Sequence, residues 1–265
     1  MPTATVNGTR ISYTDTGGDG TPVLLLHAFP LHAGMWQPQL DALGDRFRVI
    51  APDLKGFGGS DAPDNAAGYS MDGYADDVKG LLDELGIDKA VVTGLSMGGY
   101  IAFAFLRRHR AAITALVLAD TRAEADPPEG KEKRSSQQAQ VREQGTAGLI
   151  EGMAGALLSD ATRERKPQVV AQAKELMDNP PAGFIGALEA MKNRPDSTGD
   201  LAGIAVPTLV VVGENDGVTP PEAARKIHEH VGRSRLVVLP EAGHLSNLES
   251  SEAFTNAVQE FLTEL

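Results

Sequence analysis

A serine, an aspartate and a histidine stand in this chain in settings that suit nucleophilic catalysis. Ser96 lies in Gly94-Leu95-Ser96-Met97-Gly98, Asp216 in VVVGENDGVTPP and His244 in VVLPEAGHLSNLE. A serine hydroxyl attacks poorly until a base takes its proton, and an imidazole base needs an acid to fix its tautomer and stabilise its cation. The glycines flanking Ser96 suit a turn too tight for side chains, one that raises a hydroxyl where a strand gives way to a helix. The Met97 amide would open that helix, whose N-terminus favours negative charge developing nearby.

Each assignment has a plainer rival. Gly-x-Ser-x-Gly also fits a Gly-rich strand–helix junction that binds phosphate. Asp216 could only cap the helix expected from Pro220, since Asp is common in that place. Asp120, at the end of ITALVLAD, is the competing acid, whereas Asn215 cannot carry the charge. His32, His109, His228 and His230 have no comparable setting and no metal-ligand spacing, so no metal is expected.

The elements around these residues explain how they could meet. Residues 3–6 and 10–15 read as strands joined at Asn7-Gly8, a strong hairpin signal. The run VLLLH (23–27) reads as a strand covered on both faces, and FRVIAP (47–52), AVVTGL (90–95), ITALVLA (113–119), PTLVVVG (207–213) and RLVVLP (235–240) read as further strands. Helices are expected around 35–43, 70–85, 98–108, 221–231 and 252–262. Strand alternating with helix predicts a parallel sheet with crossovers. Ser96, Asp216 and His244 then fall after carboxyl ends of strands, where open α/β sheets gather their ligands. From about 122 to 200 no strand is expected, only helical pieces broken at Pro127-Pro128, Pro180-Pro181 and Pro195.

A chain of 265 residues with 42% hydrophobic content can bury one large core. Its formal charge of −12 argues against nucleic acid or an anionic membrane as partner. No apolar run reaches the length of a membrane span, and the opening MPTATVNGTR has no signal-peptide pattern. With no cysteine there is neither disulfide nor thiolate nucleophile, which fits a cytoplasmic setting.

Taken together, LLLHAFP, APDLKGFGGSD, GLSMGG, GENDGVTP and PEAGH resemble the α/β-hydrolase superfamily, in its branch of small bacterial esterases, cofactor-free haloperoxidases (perhydrolases) and 3-oxoadipate enol-lactonases. The resemblance implies a mostly parallel eight-stranded sheet flanked by helices, with a helical cap after the sixth strand. The core would comprise 1–121 and 201–265, and the cap 122–200. It implies Ser96 as nucleophile, Asp216 as acid, His244 as base, and the amides of Phe29 and Met97 as oxyanion donors. It departs from the family pattern at Ala28, usually Gly, where a positive φ would be strained, and at Lys55, usually Arg.

The implied activity is hydrolysis of a small carboxylic ester or lactone through an acyl-enzyme, on a small-molecule substrate and without a cofactor. Perhydrolysis, enol-lactone cleavage and C–C bond hydrolysis are the enzymatic alternatives. A ligand receptor on a hydrolase scaffold is the non-catalytic one. Epoxide hydrolysis and dehalogenation would need a carboxylate where Ser96 stands. Within the pocket, Arg122 could grip a substrate carboxylate or form a surface ion pair. Trp36 reads first as a packing residue, with a pocket wall as the alternative, while Met153, Met177, Phe184 and Met191 could line an apolar pocket or simply form the core of the cap.

Overall fold

Asn7 and Gly8 sit at φ 51° and 77°, the positive pair that a two-residue hairpin requires. They fold β1 (Thr3–Val6) back on β2 (Thr9–Asp15), Val6 opposite Thr9. The computed structural model describes all 265 residues. After the hairpin come β3 (Pro22–Leu26), α1 (Gln37–Leu43), β4 (Arg48–Pro52), α2 (Met71–Glu84), β5 (Ala90–Leu95), α3 (Met97–His109) and β6 (Ile113–Ala119). Five helices follow without a strand: α4 (Pro128–Gln144), α5 (Ala147–Leu157), α6 (Asp160–Arg165), α7 (Pro167–Leu176) and α8 (Pro181–Lys192). The chain closes with β7 (Thr208–Gly213), α9 (Pro221–His230), β8 (Ser234–Leu239), α10 (Ser246–Glu249) and α11 (Ser251–Thr263).

The strands form one eight-stranded sheet in the order β1-β2-β4-β3-β5-β6-β7-β8. β1–β2 and β2–β4 are antiparallel and every other pairing is parallel. Side chains of alternating residues point to opposite faces of a strand, so both faces of the interior strands must be apolar. Leu24, Val92, Leu116 and Val210 pack with α2, α3 and α9 on one face. Val23, Val91, Val117 and Val211 pack with α1 and α11 on the other. β8, at the edge, is only partly covered. No helix is long and apolar enough to cross a membrane.

The prolines in the insertion begin helices rather than only ending them. Pro128, Pro167 and Pro181 each take a first-turn position, where a missing N–H costs nothing and the fixed φ suits a helix. The insertion is tied to the loops after β3 and β4 by Asn179. Its amide donates to the Pro30 carbonyl at 2.9 Å, and its carbonyl accepts the Gly58 amide at 2.7 Å. β3 ends at Leu26, one residue before the expected His27, whose ring meets the loop after β4 by accepting the Leu54 amide.

Candidate active site

Ser96 joins β5 to α3 at φ 55° and ψ −111°. That backbone region costs a side-chain-bearing residue ~1–3 kcal/mol and persists only where the surroundings hold it. The end of β6 does the holding: the Ser96 amide donates to the Ala119 carbonyl at 2.9 Å, and the Thr121 hydroxyl donates to the Ser96 carbonyl at 2.9 Å. The flanking glycines are required by contact. A Cβ at Gly94 would stand 2.2 Å from the Gly98 carbonyl oxygen, and one at Gly98 would stand 2.1 Å from that of Leu26. α3 therefore starts directly against the end of β3.

Three loops meet at this turn. His244 Nε2 lies 2.8 Å from Ser96 Oγ, and His244 Nδ1 lies 2.8 Å from Asp216 Oδ2. With Nδ1–H donating to Asp216, Nε2 is left to accept the serine proton. Asp216 also accepts the Thr219 hydroxyl at 2.6 Å on Oδ2, and the Val218 and Thr219 amides at 2.8 and 2.9 Å on Oδ1. Burial raises the Asp216 carboxyl, but the charge of His244 and the hydrogen bonds from His244 and Thr219 outweigh it and hold it below the ordinary value. The helix-cap reading of Asp216 fails in its simple form: Pro220 precedes α9, and the Asp216 oxygens serve their own loop. Ser96 is 8% exposed and His244 and Asp216 are nearly sealed.

Asp120 lies at the base of this arrangement without joining it. It is fully buried at φ 43°; Oδ1 accepts the Gly213 amide at 2.8 Å, and Oδ2 is bonded to the Ser246 hydroxyl. Burial and then the charge of Asp216 push its carboxyl well above the usual range, and the bonds from Ser246 and Gly213 offset this only in part.

The Met97 amide opens α3, so no intrahelical acceptor exists for it. Neither it nor the Phe29 amide is taken up in a loop, turn or cap hydrogen bond. The loop carrying Phe29 is braced from below. His27 Nδ1 lies 3.0 Å from the Ala28 carbonyl, and His27 Nε2 accepts the Leu54 amide at 3.0 Å. Phe29 stacks edge-on against Phe57 and Phe184, at 6.2 and 5.5 Å between ring centres. Ala28 is not among the residues at positive φ, so its methyl group brings no strain. Lys55 pairs with Asp77 at 3.1 Å, over the rings of Tyr69 and Tyr74.

The candidate pocket residues divide. Arg122 and Met153 line a cavity of about 300 Å³ together with Tyr100, Lys133, Leu157 and Val218. Arg122 makes no ion pair; its guanidinium donates to the Val218 carbonyl. Phe184 is fully buried and reaches the site only through Phe29. Trp36 takes the packing place of its two readings: it is fully buried with its ring 6.0 Å from that of Phe254 in α11, outside the cavity. Met177 and Met191 are buried too. Of the other histidines, His32 holds the Gly34 amide, His109 pairs with Asp76, His228 meets Ser234 and His230 meets the Lys226 carbonyl. No group of three or more His, Asp or Glu side chains is arranged to hold a metal.

Several supporting residues escaped the reading of the sequence. Thr219 carries no signal of its own, although an Asp side chain bonding the backbone just after it, as Asp216 does at Val218, is a common turn device. Thr121 clamps the serine turn and Glu249 clamps the histidine loop, and neither sits in a pattern that announces it. The Glu249 oxygens accept the Ser159 amide at 2.8 Å and the Leu245 amide at 3.2 Å. The Leu157 carbonyl accepts the amides of both His244 and Leu245, at 3.1 and 3.2 Å.

Comparison with known proteins matches this geometry to a family. The profile described as alpha/beta hydrolase fold covers residues 21–251. A thermophilic esterase from Thermogutta terrifontis superposes with a TM-score of 0.95 at 40% identity, covering 99% of this chain and 98% of that one. The enol-lactonase from Burkholderia xenovorans LB400 superposes with a TM-score of 0.91 at 33% identity, covering 99% and 100%. In sequence, 3-oxoadipate enol-lactonase 2 of Acinetobacter baylyi is 30% identical over 97% of this chain and 94% of its own. With this profile spanning most of the chain and relatives matching along almost all of it, the chain belongs to the α/β hydrolase fold family.

Proposed function

We propose that the protein is a serine hydrolase that cleaves a small carboxylic ester or lactone through an acyl-enzyme. One observation carries the reading: Asp216 Oδ2, His244 Nδ1, His244 Nε2 and Ser96 Oγ form an unbroken relay with 2.8 Å at each junction. In this mechanism His244 removes the Ser96 proton as Oγ attacks the carbonyl carbon. Asp216 fixes the tautomer and stabilises the imidazolium that forms. The Phe29 and Met97 amides receive the oxyanion, and the positive end of α3 adds to their effect. His244 then protonates the leaving alkoxide. It next activates the water that opens the acyl-enzyme and restores Ser96.

Residues 122–200 act as a cap over this site, with 1–121 and 201–265 as the core. The esterase and enol-lactonase names of the relatives support the ester or lactone class. The cysteine-free chain fits a cytoplasmic setting.

A fluorophosphonate probe tests the nucleophile, together with turnover of p-nitrophenyl acetate. Wild-type protein is labelled and active, whereas Ser96→Ala is unlabelled and loses ~10⁴–10⁶ in kcat. Equal labelling or turnover in the two proteins overturns the assignment. No labelling of the wild type favours a receptor on a hydrolase scaffold.

A further inference from the structure

Resting on the serine-hydrolase reading above, we propose that the preferred substrate carries a carboxylate, which Arg122 and Lys133 hold in the cavity beside the relay. The cavity touches the surroundings of all three relay residues. Tyr100 lies one turn along α3 from Ser96, roughly 6 Å away. Val218 gives its amide to Asp216, and the Leu157 carbonyl accepts the amide of His244. Ser96, Asp216 and His244 do not themselves line the cavity, which adjoins them through Tyr100, Val218 and Leu157.

The charges there run against those of the whole molecule. In a protein of formal charge −12, the cavity wall brings together Arg122, Lys133 and Arg134, with Asp126 as the opposing charge. Asp126 is already committed. Its Oδ2 is 2.6 Å from Arg134 Nε, and its Oδ1 is 2.8 Å from Arg194 Nη1. Arg194 is itself buried, with its guanidinium 4.1 Å from the ring centre of Tyr100. Glu124, next along the chain, is taken by Lys226 at 2.7 Å.

Arg122 is therefore left with a neutral carbonyl as its hydrogen-bond partner, and Lys133 enters no ion pair or hydrogen bond. Pro127, Gly130 and Gln137 also line the cavity, which runs along one side of the first turns of α4. Met153, Leu157 and Val218 supply an apolar side. Cations along one wall and hydrocarbon along another suit a short aliphatic chain that ends in a carboxylate. A planar guanidinium holds such a group on two oxygens.

The test compares monoethyl glutarate with ethyl pentanoate, matched in chain length, by titrating released acid at low ionic strength. For the wild type, kcat/KM is expected to be at least about tenfold higher for the half-ester, with the difference residing in KM. That ratio should fall to about one in Arg122→Ala/Lys133→Ala. It should largely persist in Arg122→Lys and shrink as salt is added. Turnover of ethyl pentanoate with a wild-type ratio at or below one overturns the inference, as does a ratio unchanged in the double variant. If neither ester is cleaved and the fluorophosphonate leaves Ser96 unmodified, the hydrolase reading itself falls, and the inference with it.

Discussion

Glu249 Oε2 accepts the amide of Ser159 at 2.8 Å, joining the helices at the end of the chain to the insertion across 90 residues of sequence. Its other oxygen accepts the amide of Leu245, the residue after His244, so one buried side chain sets the loop of the proposed base against the α5–α6 junction. Lys166 strengthens the same joint by donating to the Glu249 carbonyl at 2.6 Å.

Glu249→Ala should lower kcat on p-nitrophenyl acetate by about 10–100-fold with little change in KM, because the imidazole loses its support while the cavity stays intact. Two buried amides also lose their acceptor, at ~1–3 kcal/mol each, so the midpoint of thermal unfolding should fall. Glu249→Gln should rescue only in part, since its –NH₂ must face one of two N–H donors. Unchanged kcat with a lowered melting point would reduce Glu249 to a structural strut.

The two buried aspartates should separate cleanly. Asp216→Asn should lower kcat by ~10⁴, since an amide cannot stabilise the imidazolium and favours the wrong tautomer. Asp120→Asn should cost less than about tenfold, because both Asp120 oxygens are engaged by Gly213 and Ser246 and neither bonds to His244. Kinetics of both variants on p-nitrophenyl acetate check this, and a reversed ranking would make Asp120 the acid.

How much of this was legible in the sequence depended on distance along the chain. The turn at Ser96 is a local event, written in glycines two residues away on either side, and the same holds for the hairpin at Asn7-Gly8. Asp216 and His244 were readable because each follows an apolar strand, and a parallel sheet brings strand ends to one edge. Glu249 was not readable. Its partners lie in the insertion and in the histidine loop, and nothing around it in the sequence distinguishes it from a solvated helix residue. Arg122 stood out only for its place after β6, and its lack of a carboxylate partner emerged once Glu124 and Asp126 were seen to be occupied. Trp36 read first as a packing residue with a pocket wall as the alternative, and its contact with Phe254, more than two hundred residues away, places it in the core.

His27 gives the fold a dependence on pH. Burial pushes its imidazole from 6.5 down to about 4, only partly offset by its bond to the Ala28 carbonyl and the charge of Asp53. A second proton would go to Nε2, which already accepts the Leu54 amide. Between about pH 4 and 6.5 the unfolded chain therefore binds this proton and the folded chain does not. The contribution is complete above about pH 6.5 and is lost as pH falls toward 4, at most about 3 kcal/mol. Asp120 acts in the opposite sense. Its raised folded value means that the native state holds its proton longer, so stability from that group falls as pH rises past the ordinary carboxylate value. Urea unfolding of wild type and His27→Gln at pH 7.5 and 4.5 isolates the histidine, because the Asp120 contribution is common to both proteins. The wild type should lead at pH 7.5, and its lead should shrink by about 2–3 kcal/mol at pH 4.5. A lead that stays constant between the two pH values would mean that His27 takes up its proton in the folded protein as readily as in the unfolded chain.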